Sequence, residues 1–197
     1  MQAPSRTTPT PAKTLYRRQL PAPAVAFSSR EGRRLFQLAM AEGGTSAYWH
    51  LAEQFHTQSE PAYCGLGSLV MALNALAIDP LRKWTGVWRW YSEEMLDCCR
   101  PLSVVKERGI NFDGMVCLAR CNGATVEARH ADEPLGSGLT EDEFRQVVIR
   151  LCAFTEPEDG VGLRQVLLCN YSRRLMNQTG GKSAADCDGM DKVTCVA

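Results

Sequence analysis

Between Pro61 and Pro80 the chain reads PAYCGLGSLVMALNALAIDP, and this stretch sets most of what the fold can be. Pro61 suits the first turn of a helix and restricts Glu60 to extended conformations, so a helix is expected at or just after Pro61, with Cys64 in its first turn. Leu66, Leu69, Val70, Leu73, Leu76 and Ile78 then describe a buried helix that ends before Asp79-Pro80. A helix this apolar belongs at the centre of a core. With 197 residues, 45% of them hydrophobic, the chain can bury one such core, at most as two small lobes, and does not depend on disulfides for it.

Helical signals surround this segment. Ser28 with Glu31 forms a capping-box pattern ahead of Leu35, Phe36, Ala39 and Met40, with Gly43-Gly44 as a stop, and a second helix is expected from Ser46 to Phe55. The stretch RKWTGVWRWYSEEMLDCC crowds Trp84, Trp88, Trp90 and Tyr91 together; it reads as an irregular loop whose rings cover the core or wall a pocket. Pro101 opens a short helix ending at Gly109, and Asp113 to Cys121 suggests another, stopped by Asn122-Gly123. ATVEARHA alternates like a strand. Thr140 and Glu143 make a second capping box for a helix through Phe154, and RQVLLCNYS reads as the second strand. Helices first and strands last imply an α+β or two-lobed arrangement. Residues 1–13 are Pro/Thr-rich and expected to be a disordered tail, with order beginning near Leu15.

Composition narrows the function classes. Acidic and basic residues number 22 each, which gives no electrostatic reason to expect nucleic acid or an anionic membrane surface as the main partner. No apolar run approaches the ~20 residues needed to cross a bilayer, and the N-terminus lacks the apolar block of a secretory signal. A soluble, cytoplasmic chain is the expectation. The first thirty residues hold five basic residues and no acidic one, a pattern read as a disordered tail rather than an organelle transit peptide. Neither a GxxxxGK[ST] loop nor a GxGxxG fingerprint is present, so nucleotide chemistry has no support.

Nine cysteines, an odd number, argue against a fully paired secreted framework. In a reducing compartment they are free thiols, metal ligands or nucleophiles. Cys98 and Cys99 are adjacent, and Cys117 and Cys121 lie four apart, which on a helix puts both sulfurs on one face and suits a soft metal. These four are candidate metal ligands; the competing reading is thiols packed in the core. Neither pair has the C-x₂-C spacing of zinc fingers.

A thiol is a useful nucleophile as the thiolate, and a helix N-terminus favours that form through its unpaired amides and dipole. Cys64 has this placement. Gly65, Gly67 and Ser68 are small, and each glycine weakens a helix by about 1 kcal/mol relative to Ala, so access of a substrate to the thiol is the reason we assign to them. Gln58, six residues before Cys64, could donate to an oxyanion alongside the Cys64 N–H. Tyr63 and Glu60 flank the thiol and either shape the substrate site or only pack and cap. The Gln-to-Cys spacing resembles that of papain-like cysteine peptidases, although the residues beside the thiol do not follow C-G-[SA]-C-[WY]. A buried cysteine in a core helix stays open as the alternative. His50, His56 and His130 read as core or surface histidines rather than a general base, and Arg173 and Arg174 as solvated ends rather than anchors for carboxylates.

LYRRQLPAPAVAFSSREG, FHTQSEPAYCGLGSLVMALNALAIDPLRKWTGVWRWYSEEMLDCC, PLSVVKERGINF and VCLARCNGATVEA together resemble the N-terminal catalytic domain of phytochelatin synthases, the glutathione γ-glutamylcysteinyltransferases. The resemblance covers residues 14–180. It implies a papain-like fold with a largely complete helical lobe and a truncated sheet lobe. It also implies Cys64 as nucleophile, Gln58 as oxyanion donor, and Tyr63, Glu60 and Gly65 in the substrate site. Glutathione and its metal thiolates are the implied partners, with cadmium or other heavy-metal ions as activators through those thiolates and no tightly bound cofactor. The family completes its triad with a histidine in a motif like QTG-x-G-H-F-S-P-I-G-G-Y. Here the likeness runs through Asn177, Gln178, Thr179 and Gly180 and then breaks, with Ser183 where the histidine falls and the aspartate expected at about position 201. The implied consequence is a chain with little or no turnover. Residues 181–197, GKSAADCDGMDKVTCVA, resemble nothing in the family and are read as an unrelated disordered tail. A retained intron would account for it, since Gly181-Lys182 can be encoded as GGT-AAG.

Overall fold

The computed structural model describes residues 20–130, 138–153 and 163–171, and the backbone of 192–196. The expected tail at 1–13, the onset of order at Leu15, the helix end at Phe154, Arg173, Arg174 and the segment 177–183 lie outside the described residues.

The central helix is α3, Cys64–Ala75. Its first turn is set by a tight turn over residues 60–63, in which the Tyr63 N–H donates to the Glu60 carbonyl at 3.0 Å, so the helix opens at Cys64 rather than at Pro61. Leu66, Leu69, Ala72 and Leu73 are fully buried. One side of α3 joins a large cluster with Tyr91, Leu96, Val105, Phe112, Leu118 and Val126. The other side, through Ala72 and Ala75, meets Leu163 and Val166. Burial on both sides is why the segment is apolar all round rather than striped. The helix stops before Ile78 because Ala77 turns left-handed at φ 53°, with the Ala77 N–H donating to Asn74 O and the Ile78 N–H to Leu73 O. These two bonds are the Schellman arrangement, built here without glycine.

Helices α1 (Arg30–Ala41) and α2 (Ser46–Glu53) precede it. The α1 cap is Ser29, whose hydroxyl accepts from the Gly32 N–H, and not Ser28 as the capping-box pattern suggests; Glu31 instead pairs with Arg34. The register shifts because Gly32 must sit against the Ala26 and Phe27 carbonyls, where a Cβ would come within 2.3 Å of Ala26 O. Helix α2 ends two residues before Phe55, which is exposed.

After α3 the tryptophan-rich segment is an irregular loop, as expected, but it is not a core element. Trp88 and Trp90 are about half exposed and stack on each other with ring centroids 4.7 Å apart, while Tyr91 alone of the four aromatics is buried. The loop is held at its start by Arg82, whose guanidinium donates to the Met95 carbonyl, and at its end by Tyr91. There the Asn74 side chain bonds both the N–H and the carbonyl of Tyr91. A single 3₁₀ turn at Glu93–Met95 follows. Helix α4 (Leu102–Arg108) ends at Gly109 with φ 72°, and α5 (Phe112–Cys121) is capped by Asn111.

Strand β1 (Val126–His130), helix α6 (Glu141–Cys152) and strand β2 (Val166–Asn170) follow the expected order. Thr140 and Glu143 form the full capping box. A third strand, β3 (Lys192–Val196), departs from the disordered tail expected for 181–197. It pairs antiparallel with both others in the order β1-β3-β2, Val196 lying opposite Val126 on one side and Val166 on the other. The segment KVTCV is rich in β-branched residues, which favour a pleated strand, and two neighbours saturate its backbone hydrogen bonds. The described architecture is thus α+β, six helices beside a small antiparallel sheet, with α3 between them.

Candidate active site

Cys64 occupies the first position of α3 and is exposed, while the residues around it in the chain, Tyr63, Gly65, Leu66 and Gly67, are buried. A core helix therefore delivers its leading residue to the surface. Tyr63, in the capping position, makes no side-chain bond to the helix, so the first-turn amides are left uncapped by it. Uncapped amides beside a sulfur are a place where developing negative charge is stabilised. The core-cysteine alternative does not hold for Cys64.

Gln58 lies on the approach to this turn. Its Nε2 donates to the Glu60 carbonyl at 2.7 Å and to the Pro61 carbonyl at 2.9 Å, so both amide hydrogens hold the turn together. Donation to an oxyanion requires one of these bonds to be released. Tyr63 packs in the core with its hydroxyl donating to the Leu102 carbonyl at 3.3 Å. Glu60 reaches the other way and pairs with Lys106 at the end of α4, Oε1 to Nζ 2.5 Å. The hydrogen bond to Glu60 raises the Lys106 ammonium above its ordinary range.

The glycines do not open the site to solvent. A Cβ on Gly65 would lie 2.3 Å from Cγ2 of Ile110 and 3.2 Å from Cε of Met115, so this glycine exists to let α3 seat against the α4–α5 connection. A Cβ on Gly67 would approach Glu93 Oε1 at 3.1 Å and the His56 ring at 3.5 Å. Close internal packing, and not substrate access, accounts for both.

Beneath that first turn sits a polar cluster that the sequence did not advertise. Glu93 is buried at 7% exposure, and its Oε2 accepts from the Ser59 N–H at 2.9 Å and from the Ser59 hydroxyl. Its other oxygen, Oε1, lies 3.7 Å from His56 Nε2. Neither Oε1 nor either ring nitrogen of His56 has a hydrogen-bond partner among the described residues. Glu93 thereby ties the residue after Gln58 to the aromatic loop. A glutamate within SEEM carries no local mark of burial; only the buried Tyr91 and Met95 two residues to each side hinted at it. Of the other histidines, His130 packs edge-on against Phe112 with centroids 4.7 Å apart.

The four candidate metal cysteines come together elsewhere. Cys98 is bonded to Cys121 and Cys99 to Cys117. Cys98, Cys117 and Cys121 are exposed, so the reading of these residues as core thiols is corrected: on α5 the core face is taken by Val116, Leu118 and Ala119.

Comparison with known proteins gives this geometry a context. Residues 15–184 match the phytochelatin synthase family. The chain is 48% identical over 168 residues to glutathione gamma-glutamylcysteinyltransferase 1 of Arabidopsis thaliana, covering 85% of this chain and 32% of that protein. It is 46% identical over 167 residues to glutathione gamma-glutamylcysteinyltransferase 3 of Lotus japonicus, 84% of this chain and 32% of the relative. To the glutathione gamma-glutamylcysteinyltransferase of Schizosaccharomyces pombe it is 40% identical over 168 residues, 85% of this chain and 37% of the relative. The chain thus spans about a third of the length of the curated relatives it matches.

Proposed function

The chain belongs to the phytochelatin synthase family, and from that premise we propose that the Cys64 turn is the nucleophilic half of a glutathione γ-glutamylcysteinyl-transfer site in a papain-like fold. The Cys64 thiolate attacks the carbonyl of the Cys–Gly bond of glutathione. The C–N bond breaks, glycine leaves with a proton on its amine, and a γ-Glu-Cys thioester stays on Cys64. The α-amine of a second glutathione or of a growing phytochelatin then displaces the sulfur. The first-turn amides, joined by Gln58 once its amide is released from the turn, stabilise the oxyanion. Metal thiolates of glutathione serve as acceptors, which is how cadmium enters as activator, and the cytoplasm and heavy-metal detoxification are the corresponding setting.

The observation that carries this reading is the exposure of Cys64 at the head of a largely buried helix, within a segment shared with named transferases. Transfer also needs an acid for the departing amine and a base for the incoming one. Ser183 stands where the resemblance places that base. Loss of one member of such a catalytic unit leaves on the order of 10³ to 10⁴ over water, so turnover by this chain is expected to be negligible.

Purified chain incubated with glutathione and Cd²⁺ tests both parts. Glutathione is expected to slow alkylation of Cys64, and unchanged alkylation would sink the half-site. Free glycine is expected to stay at the level of a Cys64→Ser control. Glycine release together with a γ-Glu-Cys adduct on Cys64 would overturn the inactivity. A second reading, a non-catalytic chain that binds thiols or soft metals, is favoured by the convergence of Cys98, Cys99, Cys117 and Cys121.

A further inference from the structure

The chemistry assigned to Cys64 leaves Glu93 and His56 without a task, although both lie against the head of α3. Glu93 is firmly carried: Tyr91, Met95 and Leu96 on either side of it are buried, and Asn74 of α3 holds the Tyr91 backbone. Its Oε2 takes both donors of Ser59, the N–H at 2.9 Å and the hydroxyl. Its Oε1 rests on the first turn of α3, where a Cβ on Gly67 would meet it at 3.1 Å, and the His56 ring closes the other side with Nε2 3.7 Å away. One buried carboxylate thus fixes residue 59 against the helix that begins at Cys64.

That fixed point stands beside the one group in the site that has to move. Gln58 spends both amide hydrogens on the Glu60 and Pro61 carbonyls, and serving an oxyanion means giving one up. Residues 60–63 keep their own ties when that happens: the Tyr63 N–H to Glu60 O, the Tyr63 hydroxyl to Leu102 O, and the ion pair of Glu60 with Lys106 at 2.5 Å. The chain just before them, at residue 59, is held through Glu93. Burying a carboxylate is costly and makes a poor choice for stability alone, but a carboxylate has lone pairs for both Ser59 donors at once. Placement at a reacting centre tolerates little error, since a displacement of about 1 Å can cost on the order of 10²-fold in rate.

We propose that Glu93 is a positioning residue for the transfer chemistry: acting through Ser59, it keeps the backbone of Gln58 in register with the head of α3, so that the Gln58 amide can leave the turn and meet the oxyanion formed at Cys64. His56 fills the remaining side of the carboxylate and keeps it from turning toward solvent. In this role Glu93 forms no bond to the substrate. The role rests on the transfer reading proposed above and adds to it the part that lets Gln58 move without loss of the turn.

The test compares a reaction of Cys64 that creates an oxyanion with one that does not, using p-nitrophenyl acetate and iodoacetamide on the full chain. With the ester, the thiolate adds to the carbonyl, the C–O bond breaks, p-nitrophenolate departs without needing an acid, and an acetyl thioester stays on Cys64. With iodoacetamide, sulfur displaces iodide and no oxyanion forms. Both adducts are followed at Cys64 by peptide mass spectrometry, and p-nitrophenolate release is counted against a Cys64→Ser control. Gln58→Ala is expected to slow acylation about 10²-fold and to affect alkylation far less. Glu93→Ala should slow acylation about tenfold or more with the same selectivity, and the double variant should be no slower than Gln58→Ala, because both act through one amide. Glu93→Gln, which keeps an acceptor for Ser59, should recover most of the rate, and Ser59→Ala should show a smaller loss of the same selective kind. Equal losses of acylation and alkylation in Glu93→Ala, or acylation untouched in both Glu93→Ala and Ser59→Ala, would overturn the role of Glu93. Should Glu93→Ala not fold, Ser59→Ala decides alone. Acylation insensitive to Gln58→Ala would instead sink the oxyanion part of the transfer reading, and the role of Glu93 with it.

Discussion

At the scale of single residues, the site is shaped by side chains that are absent as much as by those present. Gly65 has Ile110 where its Cβ would be, 2.3 Å away, so Gly65→Ala must push the α4–α5 connection off α3. We expect a loss of about 1–3 kcal/mol in urea denaturation, with Ile110→Ala restoring part of it; a neutral Gly65→Ala would mean the connection yields freely. Asn74 is the counterpart on the polar side. Its half-buried side chain satisfies both backbone groups of Tyr91, at 2.8 and 3.1 Å, at the margin of the core. Asn74→Ala leaves them unpaired and should cost about 1–3 kcal/mol, together with a change in tryptophan emission as the aromatic loop detaches. An unchanged emission spectrum would show that the loop does not depend on this clamp.

At the scale of elements, the ends of α3 and α6 carry the most testable chemistry. Ala77 closes α3 in a left-handed conformation that costs a residue with a Cβ about 1–2 kcal/mol, and glycine relieves it. Ala77→Gly is therefore expected to raise stability by about 1 kcal/mol, read as an upward shift of the denaturation midpoint; a downward shift would refute the assignment. Helix α6 responds to acid instead. The Thr140 backbone N–H, and then its hydroxyl, donate to the Glu143 carboxylate and hold it below the ordinary value of 4.5. A depressed carboxylate contributes stability that is full above that value and disappears as the pH falls through the lower folded one. The Thr140 amide shift in an NMR titration should follow this acid loss, and Glu143→Gln should flatten it. Persistence of the same midpoint in the variant would assign the titration to another group.

For the whole molecule, α3 contributes to both apolar clusters and Leu168 of β2 packs against both, so helices and sheet are expected to unfold as one unit. Leu69→Ala should lower stability by about 2–5 kcal/mol while circular dichroism and tryptophan fluorescence still report one coincident transition. Separated transitions would mean that the two clusters are independent. The sheet itself presents β1 and β2 as its outer strands, with β3 between them. That arrangement answers part of the exposed-edge problem that a disordered tail would have left.

The sequence by itself determined the central helix, the order of the other helices and two strands, the Thr140 capping box and the placement of Cys64 at a helix head. Each of these follows from a period, a cap or a proline within a few neighbouring residues, and local signals of that kind need no partner to be read. Only the tertiary structure decided why Gly65 and Gly67 are glycines, that Glu93 is buried beneath the Cys64 turn, that Trp88 and Trp90 face outward, that Lys192–Val196 inserts between the two strands, and that Cys98 and Cys99 meet Cys121 and Cys117 of α5. In each of those cases the deciding group comes from another part of the chain: Ile110 for Gly65, Ser59 for Glu93, α5 for Cys98 and Cys99. Which residue will occupy the space beside a glycine or a thiol is a property of packing, and packing is settled by the assembled core.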